Sequence, residues 1–161
     1  MDPDFSAYIL EGDPSAYRND AGLVVPVVTR AGQEPGDTGQ SRGARRISGV
    51  SIQHTPATRI WFGKVLNDAG YRSVPHHHGE AETGGYVLSG RARIYFGERF
   101  ADYIDMSEGD WVFVPPFMPH VECNLDRNHP LTWMTTRAPE NIVVNLADVA
   151  DEDLRDWSDR A

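Results

Sequence analysis

The sequence has a single cysteine, Cys123, in 161 residues. A lone thiol cannot close an internal disulfide, so a reducing compartment, the cytoplasm, is expected. Long hydrophobic runs are missing as well. Crossing a bilayer takes about 20 apolar residues in succession, and no stretch approaches that. The opening MDPDFSAYILEGDPSAY is acidic, where a secretory leader is basic and then apolar. Positive charge is scarce: 15 basic residues stand against 24 acidic ones, for a net charge of −9. Such a surface repels phosphate, which argues against a nucleic-acid or anionic-membrane partner. The one basic cluster, RGARR at 42–46, is short and lies in a polar region.

Helical periodicity is absent until the end of the chain, and no internal repeat is visible. The composition, 40% hydrophobic and 24% charged, is that of one folded domain. Residues 1–48 read as an N-terminal arm and loop, because AGQEPGDTGQSRGARRIS at 31–48 is rich in Gly, Pro and charge. Residues 49–146 hold short β-branched and aromatic runs, among them TRIWFGKVL, GYVLSG, ARIYF, DWVFVP, PLTWMTT and NIVVNL, mostly separated by turn residues. This pattern predicts an antiparallel sandwich or barrel. Residues 147–161 predict a short amphipathic helix with Val149, Leu154 and Trp157 on its apolar side.

The chemistry concentrates in PHHHGEAETGGYVLSG at 75–90. In an extended segment alternate side chains share a face, so His76 and His78 point together and His77 points away. Two imidazoles so placed are the beginning of a metal site. A second histidine comes from GDWVFVPPFMPHVECN at 109–124. There WVFV reads as a strand, Pro115 and Pro116 end it, and His120 opens the next strand. Two turn-bounded segments can deliver three ligands to one cavity.

These two segments resemble the two motifs of the cupin superfamily. The first, G(X)5HXH(X)3–4E(X)6G, is similar to the run from Gly70 through His76, His78 and Glu82 to Gly90. The second, G(X)5PXG(X)2H(X)3N, is matched by Gly109, Pro115, His120 and Asn124. The resemblance implies an all-β, double-stranded β-helix (jelly-roll) barrel. It also implies a divalent transition metal, Fe, Mn, Ni, Co, Cu or Zn, on His76, His78, His120 and an acidic residue. Two departures stand out. Phe117 occupies the glycine position of Pro-X-Gly, so a different turn is expected there. Counting back from Gly90 puts Thr83, not Glu82, in the acidic slot, and a slip of one residue in a strand reverses the face. Either Gly84-Gly85 forms a bulge that brings Glu82 to the ion, or Thr83 fills the slot and three histidines remain.

Other residues carry weaker expectations. Glu122 shares strand parity with His120 and is a candidate catalytic acid/base or partner of the site. Trp61, Phe62, Tyr86, Tyr95, Trp111 and Phe113 are expected in sheet packing. Arg91 and Arg93 share a face that is either solvated or anion-binding. Cys123 has the opposite parity to His120 and is expected buried and inert, and His54 and His129 on the surface. A metal-dependent enzyme acting on a small oxygen-bearing molecule is the leading function, and the resemblance implies a dioxygenase, isomerase, decarboxylase, lyase or cyclase. A non-catalytic module that binds or senses a small ligand is the alternative. The length of the arm suggests a homodimer with an exchanged strand.

Overall fold

The computed structural model describes residues 18–35 and 42–159. Ten strands run in chain order: β1 (Ala44–Val50), β2 (Trp61–Asn67), β3 (His76–His77), β4 (Glu82–Ser89), β5 (Arg91–Phe96), β6 (Asp102–Ser107), β7 (Trp111–Val114), β8 (Val121–Asn124), β9 (Leu131–Ala138) and β10 (Val144–Asn145). They form a five-stranded sheet in the order β1-β2-β9-β4-β7, a three-stranded sheet β6-β5-β8, and a small pair β10-β3. Every pairing is antiparallel. The expected all-β barrel is therefore present. Its first strand begins at Ala44, inside the segment read as loop, because RRISGV alternates well enough to pair with β2.

The alternation of each strand decides what faces inward. On β9, Leu131, Trp133, Thr135 and Arg137 are buried while their neighbours are partly exposed. Between the two main sheets lies a core of Trp61, Val65, Val87, Ile94, Leu131 and Trp133, with Ala92, Met106 and Val114. Burying each such large side chain contributes about 1.5–3 kcal/mol relative to leaving it in water. On β7 the valines face inward, so Trp111 and Phe113 stand 79% and 59% exposed. Phe62 is also exposed, so three of the six aromatics expected in packing lie on the outer surface. Tyr86 stacks beside Trp111, with ring centroids 4.5 Å apart.

A second core covers the outer face of the three-stranded sheet. Tyr95, Val121, Cys123 and Leu125 pack there against Leu154 and Trp157 of the C-terminal tail. The apolar residues of the tail are those expected, but the helix is not formed. Asp151–Asp153 make a single 3₁₀ turn, and Asp156 takes a left-handed backbone (φ 59°) that no α-helix accommodates. Arg93 is buried on this same face. It holds Asp105 through Nε and Nη2 at 2.6 and 2.8 Å and stacks 3.7 Å from the Tyr103 ring centre. It is thus a structural ion pair rather than an anion site, while Arg91 is exposed. Of the arm before β1, residues 1–17 and 36–41 lie outside the described residues. In its described part Leu23, Val24, Val25, Val27 and Val28 are exposed, and Thr29 Oγ1 donates to Gly49 O at 2.6 Å.

Candidate metal centre

The barrel interior opens on one histidine cluster. Pro75 ends a loop, and His76 then pairs with His120 across an isolated antiparallel bridge. Residues directly opposite in such a pair present their side chains on one face, and the two rings lie 4.3 Å apart between centroids. His78, two residues on, reaches the same point, with its ring 5.1 and 5.0 Å from those of His76 and His120. His77 points away, accepts from the Gly79 N–H at 2.9 Å and lies beside Phe117. His54 and His129 are remote from the site. The former bonds Ser51 Oγ and Gly49 O, and the latter is exposed beside Asp126.

The rings are oriented by their far sides. Nδ1 of His76, His78 and His120 lies 2.9, 3.0 and 2.9 Å from the carbonyl oxygens of Val74, Ile142 and Met118. A carbonyl can only accept, so each Nδ1 carries the proton and each Nε2 presents a lone pair. The Nε2 atoms of His76 and His120 are buried and have no hydrogen-bond partner. Unpartnered buried acceptors are costly, and a cation that takes their lone pairs removes that cost. Fixing Nδ1 on a carbonyl is how metal-binding imidazoles are held.

The carboxylate of the cluster comes from Glu122. Candidate ligand atoms of His76, His78, His120 and Glu122 all lie within 4.8 Å of one another, and Glu122 Oε1 is 3.7 Å from His120 Nε2. Glu82 takes no part: it is exposed at the start of β4, and Thr83 faces inward with its hydroxyl unpartnered. The reason is register. Glu82 through Val87 pair without interruption with Ala138 through Trp133, and the irregularity falls at Val87/Ser89 instead. No bulge forms at Gly84-Gly85, so Glu82 stays on the outer face. Glu122 is legible from its strand parity with His120, which was the signal for it, but its place as the cluster's acid was not.

Burial sets the protonation of the site. It pushes His76 down to about 4, against the opposing pull of Glu122. It pushes His78 down to about 2, with the Arg137 cation adding to the effect. Burial alone would raise the Glu122 carboxyl, but the imidazoles beside it, His120 first, draw it well below the ordinary range as they take up protons. At neutral pH the cluster thus offers neutral imidazoles at His76 and His78 and a carboxylate, the forms that bind a divalent transition metal. Beneath it lies a small interior cavity whose lining is mostly apolar, with Val65, Ile94, Val114 and Trp133 beside Thr83 and Glu122.

The turn before His120 also departs from expectation. Phe117 adopts the left-handed conformation (φ 58°) that a glycine takes most readily, and its N–H donates to Gly79 O at 2.7 Å. The turn is kept, with an aromatic residue in the strained position.

Comparison with known proteins agrees with this geometry. Residues 65–136 match the Cupin domain family. No curated protein sequence matches the chain. Among solved structures, the polyketide cyclase RemF from Streptomyces resistomycificus is similar at a TM-score of 0.64 and 15% identity, covering 84% of this chain and 94% of that one. A conserved Klebsiella pneumoniae protein with a double-stranded β-helix domain gives 0.56 at 16% identity, over 70% of this chain and 91% of that one. Oxalate decarboxylase from Bacillus subtilis gives 0.56 at 22% identity, over 66% of this chain but 28% of that one. At these identities the likeness concerns the fold. The family match spans His76, His78, His120 and Glu122, and the likeness to double-stranded β-helix structures covers the barrel built around them.

Proposed function

We propose that the protein is a metal-dependent enzyme that acts on a small, oxygen-bearing organic molecule at an ion held by His76, His78, His120 and Glu122. The observation that carries this reading is the set of buried imidazoles, each tied to a carbonyl through Nδ1, whose Nε2 atoms converge beside a carboxylate. A divalent transition metal bound there would act as a Lewis acid toward a ligand oxygen. The chain's own part is to hold the imidazoles in one tautomer, to keep Glu122 ionised, and to surround the site with apolar walls that exclude water. The similar structures named as a polyketide cyclase and an oxalate decarboxylase make enzymatic use of this fold familiar without fixing the reaction.

We further propose a homodimer in a reducing, cytoplasmic setting. The exposed apolar arm at Leu23–Val28 and the outward Trp111 and Phe113 support the first. The buried Cys123 thiol is compatible with the second. The test is elemental analysis of untagged protein, followed by a substrate screen with and without the native metal and sedimentation to establish the subunit number. One ion per chain, lost in His78→Ala together with turnover, is the expected result. Ligand binding that is equally tight without metal, and no metal-dependent turnover, would make the protein a binding module instead.

A further inference from the structure

Arg137 is an unusual neighbour for a metal site. It ends the inward row of β9 and is 2% exposed. Its Nη1 donates to Asn141 Oδ1, its Nη2 lies 3.4 Å from His78 Nε2, and its Nε has no hydrogen-bond partner. The guanidinium sits 5.5 Å from the Trp61 ring centre. Among the described residues no carboxylate forms an ion pair with it. A buried cation without a counter-ion is expensive, and water is not there to replace one.

Metal binding sharpens the problem. The His78 lone pair that accepts from Nη2 is the same lone pair that would hold the ion, and one lone pair cannot serve both. With the ion bound, Arg137 keeps only Asn141 as a partner and stands beside a divalent cation of like sign. Glu122 is the one carboxylate in the ligand cluster. In a low-dielectric interior two neighbouring cations repel strongly, and the obvious remedy is a second anion placed between them.

We infer that this anion belongs to the ligand: the site is built for a small organic acid whose carboxylate pairs with Arg137 while another oxygen of the same molecule reaches the ion. A guanidinium presents parallel N–H donors that match a carboxylate. The surroundings fit such a molecule. A cavity of about 150 Å³ lies next to this corner of the barrel, lined by Asn141 and Trp61, which hold Arg137, and by Arg46, while Arg137 and the histidine cluster are not themselves among its walls. The inference rests on the proposed metal centre and names the class of its substrate.

The test uses the full chain loaded with Co²⁺, whose visible spectrum reports on ligands at the ion, together with calorimetric titration. Pyruvate and salicylate are compared with their uncharged amides, pyruvamide and salicylamide. The acids are expected to shift the spectrum and to bind about tenfold or more tighter than the amides, the loss expected when a charge-assisted pair is removed. Arg137→Gln is expected to abolish that preference while retaining full cobalt content, and Arg137→Lys to restore part of it. The wild-type comparison needs no variant, so it stands even where Arg137→Gln fails to fold. Wild-type protein that takes up cobalt but does not prefer the acids, or a preference that survives Arg137→Gln, overturns this inference alone. Wild-type protein that takes up no metal overturns the metal centre and the inference with it.

Discussion

His76 and His120 exchange both of their backbone hydrogen bonds, at 3.0 and 2.9 Å, across a bridge that belongs to neither main sheet. This contact joins the two histidine-bearing segments, residues 75–90 and 109–124, and sets both rings on one side. The convergence of the imidazoles is thus fixed by the backbone before any ion arrives. His78 is secured separately, through Ile142 O, by the segment that leads into β10.

Removing one ring should therefore cost metal and little else. His76→Ala and His120→Ala are each expected to lose the ion, because two imidazoles and a carboxylate hold a divalent metal far less tightly than the complete set. The main apolar core contains neither residue, so the variants should keep the cooperative unfolding of metal-free wild type. Metal content and thermal melts on the same samples check both statements. Retention of one ion per chain in either variant would contradict the ligand assignment.

The acidic ligand offers a sharper discrimination. Glu122→Gln keeps size and hydrogen-bonding atoms but removes the charge, and metal affinity is expected to fall about 10–100-fold, the range for groups that orient or complete a metal site. Glu82→Gln should leave affinity unchanged, since Glu82 is exposed on the outer face of β4. Competition with a chromophoric chelator measures both. Equal losses in the two variants would place Glu82 at the ion after all.

How far these residues could be read in advance depended on the kind of information involved. The alternation of His76 and His78 and the arrival of His120 on a later strand are local properties, and local periodicity survives folding. The site's acid is not local. Glu82 sits at nearly the right spacing, but β4 pairs through it in unbroken register, and only the pairing shows which way it faces. Nothing near Arg137 in sequence suggests metal chemistry. Its neighbours, His78 and Trp61, are brought to it by sheet order. The tail was half legible: its apolar residues are buried, yet the positive φ of Asp156 and a binding surface on β5 and β8 replaced the helix with a turn.

Metal-free protein should lose stability on acidification. His76 and His78 titrate near 6.5 in an unfolded chain but at about 4 and about 2 in the fold. Between those limits the unfolded chain binds more protons than the folded one, so folding stability falls as pH drops from about 6.5 toward 4. The contribution is fully present above about pH 6.5, where both states hold neutral rings. Chelator-stripped protein is expected to show a falling melting temperature across this window, with a shallower slope in His76→Asn. A pH-independent melt would show that the rings are solvated rather than buried.

The turn before His120 carries a strain that can be relieved. Phe117 is 63% exposed and left-handed, a conformation that costs an L-residue about 1–2 kcal/mol. Phe117→Gly removes this cost but adds about 0.4–1 kcal/mol of unfolded-state entropy. The expected outcome in denaturant unfolding is a stabilisation between zero and about 1.6 kcal/mol, with metal content retained. A loss of stability would mean that the Phe117 contact with His77, 6.1 Å between ring centres, contributes more than the strain.

The tail offers a destabilisation that spares the site. Trp157 is 1% exposed and packs with Leu154 over Tyr95, Val121 and Cys123, on the face of β5 and β8 opposite to Glu122. Trp157→Ala should cost about 3–5 kcal/mol, the range for truncating a buried aromatic side chain. Cys123 lies fully buried beneath this cover, so its reaction with a thiol reagent under native conditions should accelerate as the tail loosens. The ligands approach from the other side of the sheet, and metal content should stay at the wild-type level below the melting temperature. Slow thiol labelling together with lost metal would reverse the assignment, making the tail a support of the site rather than a cover of the outer core.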